Sequence, residues 1–278
     1  MRRILIPTDF SDNSWNAIKY GLELLHNKST IYLLHINPIP VYSAAGSRLA
    51  TASRVMEDSM VIENKRMMTQ LLNKIKTLPA YGKHTFVTIS ETDYFVDCIK
   101  REVQEKNIDL IIMGTKGASG LKKVSMGSNT GAVITKVKCP LLAIPENASY
   151  HPPKEIAFPT DYHIGFDIKV LDNLIQVVTA NKATLRILHI TRKGEALSGE
   201  QLRNKDFLHD YLKDVSHTFH TLTGTRLETS VQCFVESRDI DMVAMVAKNL
   251  NFFQRILFRP AVEEISYHTD IPFLVLHE

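Results

Sequence analysis

The residues best suited to chemistry lie in one stretch: Gly114-Thr115-Lys116-Gly117 and then, after nine intervening residues, Gly127-Ser128-Asn129-Thr130. The first pair of glycines directly follows the apolar run Leu110-Ile111-Ile112-Met113, and the second group opens the helical pattern from Ala132 to Val137. Glycine lets a backbone approach a ligand closely and adopt positive φ. Free N–H groups at a helix N-terminus, flanked by hydroxyls, favour an anion such as phosphate. The stretch therefore has the composition of a phosphate cradle between a strand and a helix. Neither GxxxxGK[ST] nor GxGxxG is present, so it is not one of the two commonest phosphate loops.

The spacing Gly-x2-Gly-x9-Gly-Ser resembles the ATP-binding signature of the universal stress protein family, and other blocks resemble it in the same order. Ile4-Leu5-Ile6-Pro7-Thr8-Asp9-Phe10-Ser11 is similar to the family's first strand and Asp-bearing turn, and Leu33-Leu34-His35-Ile36 to its second strand. Asn107 to Gly114 resembles the fourth strand, and Cys139-Pro140-Leu141-Leu142-Ala143-Ile144 the fifth. These blocks cover roughly the first half of the chain.

Composition bounds the alternatives. A 278-residue chain with 44% hydrophobic residues has length and apolar content for two α/β domains. No run approaches the roughly 18–20 apolar residues of a membrane-spanning helix. Cys98, Cys139 and Cys233 are scattered and form no CxxC pair, and the first strand pattern begins almost at residue 1, so the expectation is a reduced, cytoplasmic protein without a disulfide framework. The net charge of +3 conceals an asymmetry: residues 1–145 hold 19 Lys and Arg against 12 Asp and Glu, the remainder 14 against 18. A positive first half suits an anionic ligand. There is no dense basic run with interleaved aromatics, so neither nucleic acid nor a membrane is expected as a partner.

Four blocks recur. Ile4–Asp9 returns as Ile156-Ala157-Phe158-Pro159-Thr160-Asp161, and Leu33–Ile36 as Ile187-Leu188-His189-Ile190. Asn107–Met113 returns as Asp239–Met245, and Cys139–Ile144 as Ile271–Leu276. The offset is 152, then 154, then 132, so the second copy has lost residues from its middle. Apolar β-branched runs alternate with longer helical patterns in each copy, which predicts βαβ units and a parallel sheet covered on both faces. The fold class is α/β: two tandem doubly wound, Rossmann-like domains, 1–146 and 153–278, the second shortened. The linker falls in Glu146–Lys154, which contains Pro152-Pro153.

In the first copy, strands are expected near Arg3–Pro7, Thr30–Ile36, His84–Ser90, Asp109–Gly114 and Leu141–Ile144. Helices are expected near Asn13–His26, Ala52–Leu78, Tyr94–Lys106 and Asn129–Val137, the first capped by Ser11 or Asp12. In the second copy Leu227–Phe234 is assigned to the third strand, which leaves too few residues for a full crossover helix before the fourth. His209, His217 and His220 are expected on one helix with Asp206, Asp210 and Asp214. That group reads as a solvated helix face, with zinc as an alternative needing a further ligand. No metal site is assigned.

The family resemblance implies a nucleotide site at the carboxyl ends of the strands in the first copy. Asp9 would bind the nucleoside, with Pro7 and Thr8 shaping that wall, and the Ile36 backbone would contact adenine. Met113, Gly114 and Gly117 would line the ribose and first phosphate, while Gly127, Ser128, Asn129 and Thr130 would hold the phosphates of ATP with Mg. Lys116, Lys122 and Lys123 lie in the intervening loop and either add charge or face solvent. From its own neighbourhood, Asp9 is equally a turn or N-cap residue. His35 and its counterpart His189 suggest a shared structural role. No Ser-His-Asp order or carboxylate pair stands out, so no catalytic residue is assigned, and at most slow ATP hydrolysis or autophosphorylation is expected.

In the second copy Val246 and Asn249 stand where Gly114 and Gly117 do, and Arg259-Pro260 replaces Gly127-Ser128. The aromatic run Asn251–Phe258 either plugs the vacated cleft or faces a partner or apolar ligand. The expectation is a nucleotide-binding stress-response regulator with a degenerate second domain for scaffolding or an unidentified protein partner. Tandem copies of one fold are expected to pack as an intramolecular pseudo-dimer, and the family resemblance implies that Leu141–Ile144 runs antiparallel to Phe273–Leu276, with a further homodimer left open. The competing reading is a nucleotide-independent interaction or small-ligand-carrying protein.

Overall fold

The computed structural model describes residues 1–39, 48–115, 128–164, 167–224, 227–247 and 270–277. The first half runs β1 (Arg2–Pro7), α1 (Asp12–Leu24), β2 (Ser29–Asn37), α2 (Arg48–Lys76), β3 (Thr85–Thr92), α3 (Phe95–Lys106), β4 (Leu110–Gly114), α4 (Ser128–Lys136) and β5 (Leu141–Ile144). The second half runs β6 (Glu155–Pro159), α5 (Asp172–Asn181), β7 (Thr184–Thr191), α6 (Gly199–Tyr211), β8 (His217–Thr223), α7 (Leu227–Ser237), β9 (Met242–Val246) and β10 (Phe273–Leu276). All ten strands form one sheet in the order β3-β2-β1-β4-β5-β10-β9-β6-β7-β8. Within each half, neighbouring strands are parallel. Among the described residues, one antiparallel pair joins the halves, with Phe273 opposite Ala143, Leu274 opposite Leu142 and Val275 opposite Leu141.

Side-chain alternation splits the core between the two faces of the sheet. Ile4, Ile6, Ile31 and Leu33 face α1 and α2, and on the same side Phe158, Leu185 and Ile187 pack with Leu174 of α5 and Leu208 of α6. Leu5, Leu34, Ile111 and Met113 face Ile99 of α3 and Ile134 of α4, and Val243 and Met245 pack there with Val231 and Phe234 of α7. The repeated Asn/Asp-Ile-Asp block has a local cause. Asn107 and Asp239 hold the left-handed conformation after α3 and α7, at φ of 49° and 48°, where a short polar side chain is tolerated. Two residues on, Asp109 accepts from the Arg3 amide at 2.7 Å and Asp241 from the Glu155 amide at 2.9 Å, tying the starts of β1 and β6 to the neighbouring strand.

The second half corrects three expectations. Leu227–Ser237 is a helix, and the third strand is His217–Thr223. Val231, Phe234 and Val235 recur at helical spacing and are buried against the sheet, which decides the helix. The third crossover helix is therefore complete, and the shortening falls on the second: α6 has 13 residues where α2 has 29. His217 and His220 lie on β8, not on a helix with His209. His217 nevertheless meets His209 across the gap, Nε2 to Nδ1 at 2.8 Å, while its own Nδ1 donates to the Val215 carbonyl at 2.8 Å. Among the described residues no group of three or more His, Cys, Asp or Glu is placed to hold a metal, and no helix is long and apolar enough to cross a membrane.

The junction carries a pH-sensitive group. His277 follows β10, its Nε2 is buried and has no hydrogen-bond partner among the described residues, and burial beside Lys138 pushes its imidazole down from 6.5 to about 4. The unfolded chain then binds a proton that the folded chain does not, so stability is complete above 6.5 and falls as pH drops towards 4. The shift corresponds to an upper bound of about 3 kcal/mol. Urea unfolding at pH 7 and pH 4.5 should show His277→Leu losing about 2 kcal/mol less than the parent across that interval.

Candidate functional site

β1 and β4 are neighbours, yet the chain leaves β1 towards β2 and leaves β4 towards β5. Their carboxyl ends thus flank a topological switch point, where open α/β sheets form ligand crevices. Beyond Pro7 the ladder continues one residue, the Thr8 amide donating to Leu34 O at 2.8 Å. The chain then turns sharply, because Phe10 adopts a left-handed φ of 63°. A non-glycine residue there costs about 1–3 kcal/mol unless its surroundings enforce it. The enforcement is visible: the Phe10 amide donates to Thr8 Oγ1 at 3.0 Å, His35 Nδ1 donates to Thr8 O at 2.9 Å, and the Phe10 and His35 rings lie 4.5 Å apart. His35 is a brace for this turn.

Asp9 is thereby exposed at the end of β1. Its Oδ1 accepts from the Ser11 amide at 3.1 Å and from Ser11 Oγ at 2.6 Å, and Ser11 Oγ in turn caps α1 by accepting from the Ser14 amide at 3.2 Å. The turn role foreseen for Asp9 is therefore present, and it joins the carboxylate to the positive end of α1. Thr8 is buried, with Oγ1 3.0 Å from Ser14 Oγ.

On the other side of the switch point, Met113 sends its side chain into the core, so only its backbone faces the crevice. Gly114 lies against α1: a Cβ built on it would stand 2.7–2.9 Å from the amide atoms of the buried Asn13. The Gly114 carbonyl accepts from Thr130 Oγ1 at 2.8 Å, which ties the first turn of α4 to the end of β4. Ser128 and Asn129 are exposed at the start of α4. Ile36 approaches from the end of β2, half-buried. Pro7, Thr8, Asp9, Met113, Gly114, Ser128, Asn129 and Thr130 are thus gathered around one strand-end region. Gly117, Gly127, Lys116, Lys122 and Lys123 lie outside the described residues. Asn13 and Ser14 are structural members that sequence reasoning did not place, and their only signal was polarity on positions that the helix period assigns to the interior. His35, given a structural role from its recurrence as His189, takes that role here.

The second half repeats the backbone bonds of this turn and its histidine brace. Thr160 N donates to Leu188 O at 2.9 Å, the Tyr162 amide to Thr160 Oγ1 at 3.0 Å, and the His163 amide to Asp161 Oδ1 at 3.0 Å. His189 Nδ1 meets Thr160 O at 3.0 Å, and Tyr162 has a φ of 60°. The surroundings differ. Gln201 and Asn204 of α6 donate to the carbonyls of Asp161 and Tyr162 at 2.9 and 2.7 Å, so a helix sits on this turn. Tyr162 is 1% exposed. Strand register also places Val246 opposite Leu276 as Gly114 is placed opposite Ile144, so a branched side chain occupies the glycine position. Asn249, Asn251–Phe258, Arg259 and Pro260 lie outside the described residues.

Residues 1–145 match the sequence profile of the Universal stress protein family. A universal stress protein of Methanocaldococcus jannaschii is 29% identical over 149 residues, which span 51% of this chain and 81% of that protein. Universal stress protein A homolog 1 of Coxiella burnetii is 28% identical over 145 residues, 51% of this chain and 95% of that one. The crystal structure of a universal stress protein from Archaeoglobus fulgidus has a TM-score of 0.70 at 17% identity and covers 98% of this chain and 97% of its own, a likeness of fold along the whole length.

The contact between Gly114 and Asn13 is testable. Gly114→Ala should destabilise the protein by about 1–3 kcal/mol through overpacking. In an Asn13→Ala background the same change should cost at least about 1 kcal/mol less, a coupling read from a double-mutant cycle of urea unfolding.

Proposed function

The chain belongs to the universal stress protein family, and on that premise we propose that it is a stress-response regulator whose first half binds ATP. The observation that carries this reading is the convergence at the β1/β4 switch point: an exposed Asp9 on one strand end, a glycine on the other, and the first turn of α4 beside it. These features fit a nucleotide. Asp9 would accept from the nucleoside, with Pro7 and Thr8 behind it and the Ile36 backbone at the base. Gly114 would let the β4 end lie close to a ribose or phosphate, and the backbone amides of Ser128 and Asn129 with the Ser128 hydroxyl would present a helix N-terminus to anionic oxygens. Gly117 and Gly127 would complete the cradle from the loop between, and Mg²⁺ would accompany the phosphates. Thr130, its hydroxyl committed to Gly114, would act by holding α4 against β4.

The second half serves as scaffold in this reading. Its turn is covered by Gln201 and Asn204 and its glycine is replaced by Val246. No residue is assigned as general base, so the nucleotide acts as an occupancy signal, with hydrolysis or autophosphorylation slow at most. A nucleotide-independent interaction protein is the second reading. Met60, Val61 and Ile62 of α2 favour it, because they are 41%, 64% and 70% exposed and form an apolar stretch on the surface.

Calorimetric titration of the full chain with ATP and Mg²⁺ tests the proposal. It should give one site per chain. Gly127→Arg should abolish binding, and Asp9→Ala should weaken it about 10- to 100-fold, as expected for losing a hydrogen bond to a charged group. Two sites would contradict a closed second half, and no binding would transfer the function to the interaction reading.

A further inference from the structure

The connection between the halves starts beside the candidate nucleotide site. Ile144 ends β5, and its carbonyl accepts from the amide of Thr115, the residue after Gly114, at 2.9 Å. The chain then makes a turn, Pro145 to Ala148, closed by the Ala148 amide on Pro145 O at 3.1 Å. Asn16 of α1 grips that turn. Its Nδ2 lies 2.9 Å from Ala148 O and 3.3 Å from both Pro145 O and Glu146 O. One amide group thus faces three backbone carbonyls.

The linker continues along α1 into the second half. Ala148 is buried, Tyr150 packs edge-on against Tyr20 at 5.2 Å between ring centroids, and His151 stands 3.4 Å from Asp241, just before β9. Asn16 is one helical turn beyond Asp12, on the same helix whose N-terminus carries the Ser11 cap, the link to Asp9 and the contact between Asn13 and Gly114. A ligand held between Asp9 and the end of β4 would fix α1 relative to β4 and β5. The linker carbonyls bound by Asn16 lie between these elements.

We propose that Asn16 is a positioning residue that couples occupancy of the first half's nucleotide site to the inter-half linker, so that a bound nucleotide tightens residues 145–151 and the junction they lead to. This inference rests on the nucleotide reading above. Coupling of this kind is reciprocal: if nucleotide favours the clamped linker, the clamped linker favours nucleotide by the same factor.

The test is hydrogen exchange of the full chain with and without ATP and Mg²⁺, alongside calorimetry of the same samples. In the parent, saturating nucleotide should slow exchange of the peptide covering residues 145–151 by about tenfold. In Asn16→Ala, and in the same-sized but donor-free Asn16→Asp, this nucleotide-dependent protection should vanish, and ATP affinity should fall by a similar factor of about ten. A purely structural role would change linker exchange equally with and without nucleotide. Unchanged linker exchange in a parent protein that binds ATP would overturn the coupling and leave the nucleotide reading intact, as would protection that persists in both variants. Absence of ATP binding to the parent would instead overturn the nucleotide reading, and the coupling with it. If Asn16→Ala fails to fold, the near-isosteric Asn16→Asp carries the variant arm, and an unchanged parent overturns the coupling in either case.

Discussion

The antiparallel pairing of β5 with β10 is the constraint on which the rest of the molecule depends. Each half alone would end in an exposed, fully apolar edge: Leu141–Ile144 in one, Phe273–Leu276 in the other, all buried in the joined sheet. Such edges template aggregation, and pairing them removes both at once. The direction of pairing has further consequences. Because the strands of the second half run opposite to those of the first, the carboxyl ends of the two halves lie at opposite margins of the sheet. The carboxyl end of β5 and the amino end of β6 then share a margin, which is why a linker as short as Pro145–Lys154 suffices. The same geometry starts that linker at the carboxyl end of β5, where Ile144 O meets the Thr115 amide just beyond β4. It also sets His277, at the end of β10, against Lys138 before β5.

Symmetry and its loss carry different information. The turn after β1 and its copy after β6 share a left-handed aromatic residue, a threonine hydroxyl accepting its amide, and a histidine clamping the threonine carbonyl. A strained conformation retained in both halves is a property of how this strand feeds the next helix, so the turn alone does not mark a ligand site. Function is better sought where the halves diverge. Gly114 is half-exposed where Val246 stands in the other half, and the long α2 of the first half gives way to a short α6 whose Gln201 and Asn204 lie on the turn. Among the described residues, Asp9 and Phe10 of the first turn are more exposed than Asp161 and Tyr162 of the second.

The sequence revealed what is contiguous and periodic. Apolar runs placed the first-half strands to within two residues, and the family resemblance implied the antiparallel β5–β10 pair. It failed where a short segment fits two periods. Leu227–Phe234 contains enough β-branched and aromatic residues to pass for a strand, whereas Val231, Phe234 and Val235 fall on one helical face. The true strand, His217–Thr223, alternates histidine and threonine with Phe219 and Leu222, because it is the outer strand of the sheet with no residue fully buried. Within the candidate site, the strand-end positions of Pro7, Thr8, Asp9 and Gly114 were legible because they are local. The contact of Asn13 with Gly114 and the grip of Asn16 on the linker were not. In sequence these asparagines are ordinary polar residues near a helix start, and only the packing of α1 across the β4–β5 margin gives their amides a partner. The sequence therefore places the strand ends, while only the tertiary contacts tie α1 to β4 and to the linker carbonyls.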